Sequence, residues 1–219
     1  MAAIQKDTFQ FLYELKDNND REWFNTNKNR YVAANENFIS FIQSLINEAA
    51  RFEPSMAGLD AKKTVFRIYR DTRFAKDKSP YKTNFGAWLA GKDFREGVAG
   101  YYFHLQPGAS FIAGGVHMPG PARLKTLRQE LSHNGAGFLE IVNNKNFKEK
   151  LELRGDKTTK VPPGFEKDDP MVEFIKFKEL MVHHQVDDKT VLSDNFTAYC
   201  AGILSAMAPF NAFLNASSE

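Results

Sequence analysis

The chain has 219 residues, 42% of them apolar and 26% charged, with twenty phenylalanines and a formal net charge of +2. That length and balance suit one domain with a buried core and exclude a disordered chain. No apolar run reads as long enough to span a bilayer, Met1–Gln10 lacks a basic stretch followed by an apolar one, and the lone Cys200 has no partner for an internal disulfide; no membrane association, no signal peptide and a reducing, cytoplasmic location are therefore expected.

In chain order, Asp7 is positioned to cap a first helix reaching about Leu15, with Phe9, Leu12 and Tyr13 at helical spacing. Asn18, Asn19 and Asp20 break it. A longer helix follows, because Tyr31, Ala34, Phe38, Phe41, Leu45, Ala49 and Phe52 recur every three or four residues on one face. Pro54 and Gly58 end it. The period then becomes alternating. Val65–Arg70 is short, β-branched and aromatic and reads as a strand; Asp71–Lys82, with Pro80, reads as a polar loop, and Phe85–Leu89 as a second strand. Gly100–Gln106 and Ala109–Val116 flank Pro107-Gly108 as the arms of a hairpin. Pro-Gly favours a type II turn, whose twist suits a tight hairpin poorly, so a bulge or longer loop is expected. Gly114-Gly115 in the second arm marks a bulge or a close backbone approach.

Pro121 opens another helix, with Leu124, Leu127 and Leu131 on its face. Asn134, Gly135 and Gly137 interrupt it before short helical pieces at Phe138–Val142 and Phe147–Leu151. Arg154–Asp169 reads as irregular, Pro170–Phe177 as a helix and Leu180–Val186 as a strand. A last helix is expected from Asp187 or Asp188, with Leu192, Phe196, Tyr199, Ile203 and Met207 on its buried face and Pro209 stopping or kinking it. Cys200 sits in this apolar stretch and reads as an inert buried thiol. Helices thus bracket strands that follow one another without intervening helices. The expected class is α+β: a single domain with a central, mainly antiparallel sheet flanked by helices.

The run Phe66-Arg67-Ile68-Tyr69-Arg70-Asp71-Thr72-Arg73-Phe74, followed by Lys76-Asp77-Lys78-Ser79-Pro80-Tyr81-Lys82-Thr83-Asn84-Phe85-Gly86, resembles the conserved-hypothetical family filed as domain of unknown function 2461. So do Tyr101–Gly108, Ser110–Pro119, Pro163–Pro170 and the ending Pro209–Asn215. Asp169, His117 and Glu179-Leu180 depart from the family pattern as it is known to us. The resemblance spans nearly the whole chain and implies one full-length domain; it implies no catalytic residue.

Charge is unevenly spread. Lys62–Lys82 holds eight basic residues against Asp71 and Asp77, so this stretch carries +6 and the remainder −4. Arginine suits bidentate phosphate or carboxylate binding, and Arg67, Arg70, Arg73, Lys78 and Lys82 are the expected anion-binding residues, with an anionic or phosphorylated small molecule as partner. Asp71 and His104 are candidate acid–base groups, His104 because imidazole titrates near neutrality. Two other readings stand beside this one. Arg67 and Arg70 can instead pair with acids from the helices as a structural network, the more apolar company of Arg70 favouring it as the inward one. Or Tyr69, Phe74 and Tyr81 can stack on nucleic-acid bases while the cations meet phosphates, against which stands a pI near 8.5.

Gly86–Lys92 matches the first seven positions of a phosphate-binding loop, but Asp93 stands where Ser or Thr is needed, and the match reads as chance. Adjacent His183 and His184 point to opposite faces of a strand, and His117 and His133 lack ligand spacing, so no metal site is expected unless His104 joins Asp71 or Asp77. No cofactor and no oligomeric state are indicated.

Overall fold

The computed structural model of the chain describes residues 2–91 and 97–216. Along it run α1 (Lys6–Asp17), α2 (Arg21–Thr26), α3 (Lys28–Ala49), a 3-10 turn (Pro54–Met56), α4 (Ala61–Thr64), β1 (Phe85–Leu89), β2 (Gly100–Leu105) and β3 (Ser110–Val116). Then come α5 (Pro121–Asn143), α6 (Lys145–Lys150), β4 (Glu152–Arg154), α7 (Val172–Ile175), β5 (Leu180–Val186), α8 (Asp188–Val191) and α9 (Phe196–Ala216). The strands form one antiparallel sheet in the order β1-β2-β3-β5-β4, and the class is α+β. The chain divides into two compact units: Met1–Leu89 with Tyr102–Ile112 and Gln185–Gly202, and Ala90–Tyr101 with Ala113–His184 and Ile203–Glu219. The boundaries fall inside β2, β3, β5 and α9.

In the first unit, α1 buries Thr8, Phe11, Leu12 and Leu15, a helical stripe. It begins before Asp7. Asn37 Oδ1 accepts from the Gln5 N–H (3.0 Å) and from the Thr8 hydroxyl (2.8 Å), which fixes the entry of the chain, and Gln5 rather than Asp7 stands at the cap. Asp7 instead places its charge in the first turn, where the helix dipole favours it. Asp20 caps α2 by accepting from the Trp23 N–H at 2.8 Å. α3 buries Ala34, Phe38, Phe41, Ile42, Leu45, Ile46 and Ala49. Its Phe38 ring lies 5.3 Å from Phe85, and Phe41 stacks 5.2 Å from Phe196 at 11°. The aromatic residues thus supply this core by direct ring contact.

Val65–Arg70 is not a strand of the sheet. It bends at Ile68 and makes isolated bridges from Val65 to Ala87 and from Tyr69 to Tyr81. The reason is its polarity: Ile68 alone of this stretch is fully buried, while Phe66 and Tyr69 are about half exposed, so nothing holds a continuous ladder. The hairpin does turn at Pro107-Gly108. Gly108 has φ +74, and the Ala109 N–H donates to the Gln106 carbonyl at 2.9 Å, as a type II turn requires. The Gly108 N–H also donates to Asp188, at 2.8 Å to Oδ1.

In the second unit, Gly115 has φ +120, and a Cβ there would lie 2.1 Å from the Leu180 carbonyl oxygen. The close backbone approach is real and only glycine admits it. α5 runs on through the Asn134–Gly137 punctuation, kinked at the non-helical Asn134 (φ −116, ψ 27), and includes the piece expected from Phe138. β4 lies where irregular chain was expected and pairs antiparallel with β5, Glu152 opposite His183 and Arg154 opposite Met181. α9 neither starts at Asp187 nor stops at Pro209: short α8 precedes it, and it continues to Ala216 with the proline inside. Side chains hold the turns beyond the proline. Asn211 donates to the Gly100 carbonyl (3.0 Å), Asn215 pairs with both backbone groups of Ala99, and Arg123 donates to the Leu214 carbonyl. α9 is also long and apolar enough to cross a membrane by length and composition, contrary to the expectation that no such run exists. Its Cys200, Ile203, Leu204, Met207, Phe210 and Leu214 are buried in the protein.

Candidate functional site

The basic segment folds as an irregular loop on a fixed base, all within the first unit. Three backbone bonds join its two limbs: Phe66 N–H to Gly86 (2.9 Å), Lys82 N–H to Ile68 (2.8 Å) and Arg70 N–H to Pro80 (2.9 Å). Tyr81 stacks on Phe24, centroids 3.8 Å apart at 12°. Asn19, in the break between α1 and α2, imitates a peptide: its Nδ2 donates to the Tyr81 carbonyl at 3.0 Å and its Oδ1 accepts from the Tyr81 N–H at 3.1 Å. Within the loop, the two acids are consumed locally. Asp77 accepts from the Ser79 hydroxyl (2.6 Å), the Ser79 N–H (2.9 Å) and Arg70 Nη1 (2.5 Å), and these bonds hold its carboxyl far below the usual range. Asp71 accepts from Arg73 Nε (3.0 Å) and Nη2 (2.7 Å) and from the Arg73 N–H, which lowers it as well. Arg70 and Arg73 therefore pair with acids of their own loop, not with acids of the helices, and Arg67 has no acid partner among the described residues. Arg70 is the more enclosed, its side chain 28% exposed against 77% for Arg73.

A cleft of about 370 Å3 opens between this loop and the α1–α2 break. Lys16, Asn19, Arg70, Asp77, Lys82 and Asn84 line it, with Ser79, Tyr81 and Thr83 completing the wall. Lys82 Nζ donates to the Arg67 carbonyl (2.9 Å) and stands 5.4 Å over the Phe66 ring. Burial, then the nearby Arg67, lowers its affinity for its proton. Neither Lys82 nor Lys16 has a carboxylate partner among the described residues.

Behind Asn84 lies a polar chain on β2. Gln106 Oε1 accepts from His104 Nε2 (2.9 Å), which assigns the proton to that nitrogen. His104 Nδ1 then accepts from the Tyr102 hydroxyl (3.0 Å) and from Asn84 Nδ2 (3.4 Å). Phe111 stacks on the imidazole, 4.6 Å away at 14°. Burial pushes the imidazole pKa down, against a smaller opposing effect of Gln106, and pushes the Tyr102 phenol up, so both groups are held neutral. Gly86 admits the hydroxyl: a Cβ there would lie 2.6 Å from it.

Of the residues picked from the sequence, the fold brings Arg70 and Lys82 to the cleft and His104 to one residue behind its wall. Arg67, Asp71, Arg73 and Lys78 do not line it. Arg67 is exposed and Lys78 donates to the Thr72 carbonyl at 3.0 Å. Asp71 and His104 make no contact with each other and form no acid–base pair. Sequence reasoning passed over Lys16, Asn19, Thr83 and Asn84 as site residues. Asn19 meets Tyr81 across 62 residues of chain, and no local pattern joins it or Lys16 to the loop; Thr83-Asn84 directly follow the basic run and were within its reach. The phosphate-loop match Gly86–Lys92 ends on Lys92, which with Asp93 lies outside the described residues; Gly86–Leu89 of it belong to strand β1. Among the described residues no three His, Cys, Asp or Glu side chains gather as a metal site.

Compared with known proteins, the chain matches one family model, described as conserved hypothetical protein (DUF2461), over residues 7–213. No curated protein and no solved structure matches it.

Proposed function

We propose, for a chain that belongs to this conserved hypothetical family, that the cleft between the α1–α2 break and the basic loop binds a phosphorylated or otherwise anionic small molecule. The observation that carries the reading is Lys82: a partly desolvated ammonium beside a second cation, on the wall of a polar cleft, without a carboxylate to neutralise it. An anion supplies that counter-charge, and the charge-assisted bonds so formed are the strong kind. Lys16 and Arg70 add charge, and the Asn19, Thr83 and Asn84 side chains add neutral polar groups. His104 serves in this reading by orienting Asn84, and Asp71 by fixing Arg73; neither moves a proton. A lone buried thiol, whose pKa burial raises well above the ordinary range, fits a reducing compartment such as the cytoplasm.

Orthophosphate titration followed by thermal melting tests the reading. The parent should show a saturable rise in Tm, and Lys82→Met and Lys16→Met should each weaken the apparent affinity roughly tenfold. Equal stabilisation of parent and both variants, or none in the parent, rejects it.

A second reading has its own support. Phe74 is 95% exposed, with the Arg73 guanidinium 6.0 Å from its ring, and Phe66 and Tyr69 are half exposed beside Lys82 and Arg67. Exposed aromatics among cations suit single-stranded nucleic acid, with bases stacked and phosphates paired. Oligonucleotide binding that falls steeply with salt and is lost in Phe74→Ala would establish it; salt-insensitive binding would not.

A further inference from the structure

The second unit carries a separate cationic cleft, of about 430 Å3, between Arg128 of α5, the loop through residues 157–163, and Lys178. Every ionisable side chain on its lining is a cation: Arg128, Lys157, Lys160 and Lys178. Its frame is well tied. Lys157 and Phe177 form an antiparallel bridge, the Thr158 N–H donates to the Lys176 carbonyl at 2.8 Å, and the Lys178 N–H donates to the Asp156 carbonyl at 2.8 Å. Arg128 reaches the same segment, donating from Nε to the Ile175 carbonyl (2.8 Å) and from Nη2 to the Phe177 carbonyl (3.1 Å). Those two bonds fix the guanidinium in place, half-buried and without a carboxylate among the described residues, and leave three of its five N–H groups to meet an anion.

The acids nearby do not balance the charge. Glu173 is shared by Lys157 (3.1 Å) and Lys176 (2.7 Å), and Asp156 lies 3.8 Å from Lys178 with its side chain 88% exposed. Lys160 has no ion pair among the described residues. The four lining cations therefore have two carboxylates paired to them, both outside the lining and one of them shared with Lys176. Packing like charges together is unfavourable unless an anion is present. No aromatic side chain is among the residues that line the cleft, so its lining offers nothing to stack a base or a ring, and it holds four cationic side chains, more than a single phosphate group needs. We propose that this cleft binds an oligophosphate, a ligand carrying several phosphate charges in a row, held by Arg128 and by Lys157, Lys160 and Lys178. It shares no residue with the cleft at Lys82 and does not depend on the function proposed there.

The test is a titration of the whole chain with tripolyphosphate, read by calorimetry and by amide shifts of residues 157–161 in the 157–163 loop. The parent should bind saturably, with shifts in that loop, and orthophosphate should bind at least about tenfold more weakly, since it engages fewer cations. Lys160→Glu and Lys178→Glu, both exposed and outside the core, should each weaken tripolyphosphate about tenfold or more, while melting like the parent. Lys82→Met should leave the 157–163 response intact. Absence of saturable shifts in that loop, parent-like affinity in both charge reversals, or orthophosphate binding as tightly as tripolyphosphate would each overturn the proposal.

Discussion

Two glycines separate strain from steric exclusion. At Gly115 an added methyl meets the backbone oxygen of Leu180 at 2.1 Å in a φ +120 conformation, and backbone has no rotamer by which to yield. Gly115→Ala should cost more than about 3 kcal/mol in chemical denaturation. At Gly86 the methyl meets the far end of Tyr102 instead. Gly86→Ala should therefore cost less, about 1–2 kcal/mol, and its distinguishing effect is local: the Tyr102 hydroxyl leaves His104, which the imidazole resonances would report. If Gly86→Ala leaves those resonances unmoved, the hydroxyl is not held as described. Arg70 and Arg67 make a second contrast. Arg70 pairs with an exposed acid and Arg67 with none among the described residues, so Arg70→Ala should lower Tm by no more than about 4 °C and Arg67→Ala should not lower it. A collapse on removing either would mean an ion pair far more buried than this one.

Elements here are held by side chains that stand in for backbone. Asn19 does so for Tyr81, joining a helix break to a loop that no ladder secures. Asn19→Ala strands one N–H and one carbonyl in a half-buried place, which should cost about 1–3 kcal/mol. Hydrogen exchange should show it: the Tyr81 and Lys82 amides should lose protection while α3 keeps its own. Uniform loss of protection would instead mean that the loop and α3 open as one body. Asn211, Asn215 and Arg123 do comparable work at the end of α9, and there they explain why a proline that removes one helical bond does not end the helix.

Across the whole molecule, acid should act in two steps. Burial depresses the pKa of His104 and of His183, the latter helped by Arg154, relative to the ordinary value of 6.5. Between the folded and unfolded pKa the unfolded chain binds more protons. Stability is therefore full above about pH 6.5 and falls as the pH drops through the interval below it. The carboxylates of Glu14, Asp71, Asp77, Glu173 and Asp187 are also depressed, from ordinary values of 3.8 to 4.5. Their contribution is present above those values and is lost as the pH falls further. Urea midpoints measured from pH 8 to pH 3 should show both declines, and His104→Gln should shrink the first alone. A flat profile from pH 8 to pH 5 would contradict the burial of both histidines. Cys200, fully buried with a raised pKa, should react with thiol reagents only as the chain unfolds.

The period of apolar residues was enough to place α3, the hairpin and β5, because a stripe such as Phe38, Phe41, Leu45 and Ala49 can be buried only by a helix; it placed α1 too but not its inner face, which takes Phe11 and Leu15 while Tyr13 is exposed. The Pro-Gly turn and the crowding at Gly115 were likewise legible, since both are local demands on φ. The charge excess of residues 62–82 was visible too, and with it Arg70 and Lys82. What the sequence could not supply was each charge's partner. Arg73 spends its fork on Asp71 two residues away, while Lys82, an equally basic residue in the same run, stays without a carboxylate beside Asn84. Short strands such as Glu152–Arg154, the continuation of α9 past Pro209 and the place of Lys16 and Asn19 in the cleft were also hidden. Each depends on hydrogen bonds or contacts between residues far apart in the chain, and such bonds leave no periodic trace in sequence. Composition and period determine which faces are buried; only the tertiary structure decides which polar groups meet, because a hydrogen bond is directional and burial is not.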